Sequence, residues 1–380
     1  MRVYARLTLL VCMSLFLVCG AAVAIQPPDL NRTVTIDGAS ELAAFTESPA
    51  AGGFIAAGAT EDGPAVWFVA ADGTVTGNMT VAIGNASVIR YVQENEDGYS
   101  VFTDTHDFAG VSPKGEILWT WHVPCGEVSS VDAVPAGGII AAANYLNPTI
   151  YRLDADGTPL WNRSYADTSG AGLGRIQSVK AVDGGYIAAG YARPLITSAD
   201  SAGLVMYLDE EGNVIWEERY GEEGIGYVVN INPLPNGGYI APALTTADEA
   251  AVLILNATGA ATEVFSYPKR MELIYYADAA PSGGYYLLGY DASLVNGDPQ
   301  FLAMGVSPDG KEEWMHWFGD IPVRAFIPTS DGFAAAGENG EISFFTFHET
   351  GKETDFSDAW MFIFVILAAF GAGYLIYRQR

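Results

Sequence analysis

The stretch DGGYIAAGY, residues 183–191, places two glycines directly ahead of a run of apolar and small residues. Gly-Gly after an aspartate signals a tight turn, because glycine takes positive φ at little steric cost. The segments on either side fit strands. RIQSVKAV (175–182) is rich in β-branched residues, and GLVMYLD (203–209) alternates. EEG (210–212) turns, and NVIWEERYG (213–221) alternates again. Short runs bounded by Gly and Asp are hairpin-connected strands, here four in succession.

The same element recurs along the chain. It appears as AGGFIAAG (51–58), DGYSVF (97–102), AGGIIAAA (136–143), NGGYIAPA (236–243), SGGYYLLG (282–289) and DGFAAAG (331–337). With the first stretch these make seven copies, anchored on Gly53, Gly98, Gly138, Gly185, Gly238, Gly284 and Gly332. A second landmark, a turn ending in glycine, interleaves with them at Gly73, Gly115, Gly157, Gly212, Gly259, Gly310 and Gly351. Repeats of this length are the mark of solenoids and propellers. The segments carry no 3.6-residue periodicity before residue 359, so the repeat is built of strands.

Four antiparallel strands per repeat make one propeller blade. Small residues such as Ala188, Ala189 and Gly190 then fit where strands crowd around the axis. Four residues beyond the second turn stand Trp119, Trp161, Trp216 and Trp314, and eight beyond stand Tyr165, Tyr220, Tyr267 and Phe318. Positions +4 and +8 share one face of a strand, so these aromatics are expected to pack between blades. The segment after Gly351 is short and acidic, whereas NRTVTI (31–36) alternates well. The expected fold is therefore all-β: a seven-bladed propeller over residues 31–352, closed by the N-terminal strand pairing into the seventh blade. Such closure leaves few free edges.

The pattern GGYIAAGY…LVMYLDEEGNVIWEERYG resembles the blades of secreted microbial and archaeal propellers of the quinoprotein-like and WD40-like kind. Asp209, Gly212 and Trp216, and again Asp154, Gly157 and Trp161, match the element that places a docking tryptophan in quinoprotein-like blades. The resemblance covers nearly the whole stretch between the chain ends. It implies a fold and leaves function open, because propellers host many activities. No cofactor site of the quinoprotein kind is evident in the residues.

The ends read differently. Arg2 and Arg6 precede an apolar run that finishes in Ala22-Val23-Ala24, the form of a secretory signal peptide over residues 1–24. Residues 359–377 carry no charge, long enough at about 1.5 Å per residue to cross a bilayer core of about 30 Å. Trp360, Tyr374 and Tyr377 suit the interfaces, and Arg378 and Arg380 form a basic tail over 378–380. Glu353, Asp355 and Asp358 make 353–358 an acidic linker. The expectation is a single-pass cell-membrane protein with its propeller outside and its C-terminus in the cytoplasm.

Eighteen basic residues, less Arg2, Arg6, Arg378 and Arg380, leave 14 against 45 carboxylates, a net charge of −31 between the ends. That surface excludes nucleic acid as a partner. Cys12 and Cys19 fall in the leader and Cys125 stands alone, so no disulfide is expected in the mature chain.

Catalytic motifs are lacking. His106, His122, His316 and His348 share no metal-ligand spacing, and His316, between Trp314 and Phe318, reads as a packed histidine. No nucleophile elbow or phosphate loop occurs. Asp154 with Asp156, and Asp209 with Glu211, resemble truncated calcium loops, but a β-turn explains them as well. No catalytic, cofactor or metal residue is therefore assigned. Asn31, Asn78, Asn85, Asn162 and Asn256 open N-x-[ST] sequons and are candidate glycan acceptors. The longer connections 191–203 and 290–300 are candidate contact loops. The functional expectation is a non-catalytic binding or scaffolding module for an envelope protein or glycan. The alternative is a surface enzyme acting on polysaccharide through carboxylates at the channel mouth.

Overall fold

The computed structural model describes residues 28–347 except 49, 51, 125, 166–172, 193–200, 269, 282, 296–297, 320–321 and 330–331. The expected leader, acidic linker, membrane helix and basic tail, together with Cys125 and His348, lie outside the described residues. Among the described residues no helix is long and apolar enough to cross a membrane.

Seven antiparallel sheets follow one another along the chain, each a blade. Blade 4 shows the unit: strands Leu173–Val182, Gly185–Ala192, Ala202–Leu208 and Val214–Arg219 pair in order. The seventh sheet closes the ring. It joins Val323–Thr329, Gly332–Gly337 and Glu341–Thr346 to the N-terminal strand Asp29–Thr35, which pairs antiparallel with Glu341–Thr346. The closing strand begins two residues before the expected segment. Ile36, just past it, donates its N–H to the Gly340 carbonyl. Blade 5 departs from four strands. Its first strand is split into Ile225–Val228 and Asn232–Pro233, so that sheet has five. Pro233 brings no N–H to the ladder, and the Asn230 side chain accepts from the Ile231 N–H in the gap.

The repeated glycines have a second cause beyond the turn. At the opening stretch only Gly184 sits squarely in the left-handed region, at φ +77. A Cβ on Gly185 would fall well under 3.0 Å from the Leu208 carbonyl oxygen of the third strand. The same carbonyl approach holds at all seven anchor glycines, so the column is kept by backbone proximity in every blade. Gly185→Ala is expected to cost about 2–4 kcal/mol through the clash and the strained φ of +156. Gly237→Ala, with open space at φ +83, is expected to cost about 1 kcal/mol. Denaturant midpoints of the two variants check the contrast.

Blades dock through their second turn. The turn glycines Gly157, Gly212 and Gly259 lie against the rings of Trp119, Trp161 and Trp216 from the preceding blade. Trp119 and Trp161 also donate their indole N–H to the Ala155 and Glu210 carbonyls, each at 2.9 Å. Tyr165, Tyr220 and Tyr267 donate to the carbonyls of Gly212, Gly259 and Gly310. Trp119 and Trp161 thus both pack against and hydrogen-bond to the next turn, Trp216 packs against it, and the three tyrosines hydrogen-bond to it. Met79, Phe265 and Arg32 hold the same place against Gly115, Gly310 and Gly73. At the sixth seam Trp314 stacks on Phe333 at 5.9 Å, within a cluster that includes Phe326 and Phe345.

Candidate channel-mouth site

The first strand of each blade lies innermost, and neighbouring first strands are joined side to side. Ser130 Oγ accepts from the Val179 N–H, and Asn232 Nδ2 donates to the Ala277 carbonyl. Along these strands, positions paired three residues past the anchor glycine are core: Phe45, Val92, Val179, Ala277 and Phe326. Strand alternation puts positions paired two and four residues past it on the opposite face, towards the axis.

The position two past the anchor carries Thr46, Gln93, Asp132, Lys180, Asn232, Asp278 and Ile327, one per blade. From blade 3 to blade 6 this wall is polar and cross-linked. Lys180 Nζ lies 3.3 Å from Asp132 Oδ1, and the Ala181 N–H donates to Asp132 Oδ2 at 2.9 Å. Ser178 Oγ donates to Asn230 Oδ1 at 2.7 Å, and Asn230 Nδ2 to the Tyr275 carbonyl at 3.2 Å. Blades 7 and 1 contribute Ala325, Ile327, Ala44 and Thr46 at the corresponding places.

Asp278 stands where the polar arc meets the apolar one. Its Oδ2 accepts from the Tyr276 hydroxyl and its Oδ1 from the Ala279 N–H, both at 2.7 Å. Burial raises its pKa, opposed by those two hydrogen bonds and weakly by Lys180. Burial also pushes the Tyr276 hydroxyl well up, with the Asp278 charge adding to it. Across the channel, the Tyr91 hydroxyl is buried and finds no hydrogen-bond partner among the described residues. Burial, and then the Asp132 charge, raise its pKa strongly.

The Asp278 shift has a measurable sign. The folded carboxyl holds its proton more tightly than the unfolded one. Its contribution to stability is therefore full below the ordinary value of 3.8 and is lost as pH rises through the raised folded value. Subtracting the pH–stability curve of Asp278→Asn from that of the native chain is expected to leave a step that falls as pH rises above 3.8. A flat difference would contradict the assignment.

Two cavities meet at this carboxylate, on the side where the Gly-Gly turns emerge. One of about 600 Å³ is lined by Pro233, Leu234, Pro235, Asp278, Ala279, Ala280, Pro281 and Pro328. The other, about 410 Å³, is lined by Thr46, Glu47, Asp278, Ile327 and Pro328. Together they form a vestibule spanning blades 5, 6, 7 and 1.

The residues singled out in the sequence lie elsewhere. His316 is half-buried, edge-on to Phe345 at 4.6 Å, and burial lowers its pKa. His122 Nδ1 meets Asp107 Oδ1 at 2.9 Å in an exposed pair. Asp154 Oδ1 accepts the N–H groups of Asp156 and Thr158. Asp209 similarly accepts from the backbone and side chain of Asn213. These carboxylates serve their own turns, and among the described residues no three metal-ligating side chains come together. Segment 193–200 of the first expected contact loop lies outside the described residues. In the second, 290–300, the described residues 290–295 and 298–300 are strand and extend the blade 6 hairpin. Tyr285–Val295 and Asp298–Val306 pair through Tyr290 with Phe301 and Asp291 with Gln300 and, after an irregularity, Val295 with Asp298. The five sequon asparagines are all exposed.

No protein-family model matches the chain, and no curated protein sequence matches it. Solved structures do. The architecture is that of a seven-bladed β-propeller, and the chain is similar in fold to several solved propellers. The WD40 propeller domain of Doa1 superposes with a TM-score of 0.60 at 12% identity, covering 86% of this chain and 99% of that one. BamB from Moraxella catarrhalis gives 0.52 at 14% identity, over 84% and 100%. A chain of the mitotic checkpoint complex gives 0.60 at 13% identity, over 86% and 96%. At these identities the likeness is one of fold.

Proposed function

We propose that the chain is a non-catalytic binding or scaffolding module displayed on the outer side of the cell envelope. In this reading residues 1–24 export it, residues 359–377 anchor it in the membrane, and the exposed sequons carry glycans. Its ligand is a protein or a glycan of the envelope. The vestibule is the observation that carries the reading. It is a concave, largely apolar site at the axis of a closed ring, with a few placed polar groups, which is the form binding sites take. The ring supplies rigidity, and its turns are free to vary around it. One of the similar propellers was solved within a multi-component assembly, the mitotic checkpoint complex, a precedent for the same use of the fold.

Affinity capture with the full-length chain from solubilised envelopes, run beside a glycan array, tests the proposal. A stoichiometric protein partner or a defined glycan class is expected. Turnover of a polysaccharide by the purified chain, with no stable partner of either kind, would overturn it.

A further inference from the structure

The vestibule has a chemical bias. Four prolines, Pro233, Pro235, Pro281 and Pro328, make its wall. Proline offers no N–H, so this wall is unusually poor in donors. The acidic groups at its base are Asp278 and, on the blade 1 side, the exposed Glu47. Among the described residues Lys180 is the cation felt at Asp278, and it is already paired with Asp132. Asp278 keeps acceptor capacity, since each oxygen takes a single donor and an ionised carboxylate offers about four lone-pair sites. The chain as a whole carries a formal charge of −27, which steers cationic partners towards it.

We propose that the vestibule receives an arginine or lysine side chain projecting from a protein partner, with its cationic head on Asp278 and its alkyl stem along the prolines. The inference rests on the binding-module reading and gives it a site and a partner chemistry. Long cationic side chains combine an apolar stem with a charged tip, and this wall and floor match the two parts in order. A bare metal ion fits poorly, because two carboxylates without a third ligand make an incomplete oxygen shell. Burying the partner's charge beside Asp278 also compensates a carboxylate that the fold desolvates.

The test is calorimetric titration of the solubilised full-length chain with capped pentapeptides. Each has arginine, lysine, citrulline or acetyl-lysine at the centre and glycine and alanine around it. The arginine or the lysine peptide is expected to bind at least tenfold more tightly than its neutral counterpart. Asp278→Asn is expected to remove that difference, and Glu47→Gln, a surface change that spares folding, to reduce it about threefold. A cooperative melting transition and a native circular dichroism spectrum show that Asp278→Asn is folded. Equal binding of charged and neutral peptides, or full binding by folded Asp278→Asn, would overturn the proposal. The partner captured by the native chain separates this from the broader reading. If Asp278→Asn captures it equally well, the vestibule is the wrong site and the module stands. If the native chain captures no protein and binds no glycan on the array, the module reading itself falls.

Discussion

Deleting residues 28–36 is expected to abolish cooperative folding of the propeller. The deletion strips the outer strand from the seventh blade and bares Glu341–Thr346, whose Ile342, Phe344 and Phe345 are buried. It also opens the seam with blade 1. Ile36 belongs to the core cluster of Leu42, Phe45, Trp67 and Phe344. Arg32 lies over the Phe344 ring at 4.3 Å and donates to the Ala71 carbonyl at 2.6 Å. Losing a strand, a seam and a capped edge together is comparable with the whole stability of a domain, about 5–15 kcal/mol. An uncapped strand also templates aggregation. Urea unfolding followed by tryptophan fluorescence should show no cooperative transition, with aggregation at micromolar concentration. A native-like midpoint would mean that closure contributes little.

Arg152→Met is expected to cost about 3–5 kcal/mol, because it leaves several buried acceptors without a donor. Arg152 is only 5% exposed and has no carboxylate partner among the described residues. Its guanidinium instead donates to neutral oxygens: the Tyr186 hydroxyl at 3.0 Å, the Gly137 carbonyl at 2.6 Å, and the Leu153 carbonyl. It thereby ties the Gly-Gly turn of blade 3 to a tyrosine of blade 4. Methionine fills the space of the stem and supplies no N–H. The exposed Arg163, which donates to the Glu211 carbonyl, is the control, and Arg163→Met is expected to cost below about 1 kcal/mol. Equal effects would show that burial of the guanidinium is immaterial.

The sequence exposed whatever the backbone itself demands in each repeat. The anchor glycines are legible because the third-strand carbonyl excludes a Cβ in every blade. The tryptophans at 119, 161 and 216 are legible because one residue type fills one place. Met79, Phe265 and Arg32 do the same work and were hidden. Met79 and Phe265 stand six residues beyond the turn glycine instead of four, and Arg32 comes from the far end of the chain. The ring of Thr46, Asp132, Lys180 and Asp278 was hidden for a different reason. The first turn varies in length, so these residues precede their anchor glycines by seven, six, five and six positions. Only the strand register aligns them. The closing strand was readable from its alternation and from the want of a last strand after Gly351. The split first strand of blade 5 was not, since it turns on the Asn230 side chain reaching blades 4 and 6.

The inner wall is unequal around its circumference. Between blades 3 and 6, directional bonds run from one innermost strand to the next. Blade 7 is tied to blade 6 by Tyr275 and Val323, and blade 1 to blade 2 by Ser48 and Glu94, but between blades 7 and 1 the innermost strands meet through aliphatic and aromatic side chains, which tolerate small sliding displacements that a directional bond resists. That seam is thus more compliant than those between blades 3 and 6. The cavity lined by Thr46, Glu47, Ile327 and Pro328 straddles it, so that a guest reaching that side would meet the part of the circle that yields most easily.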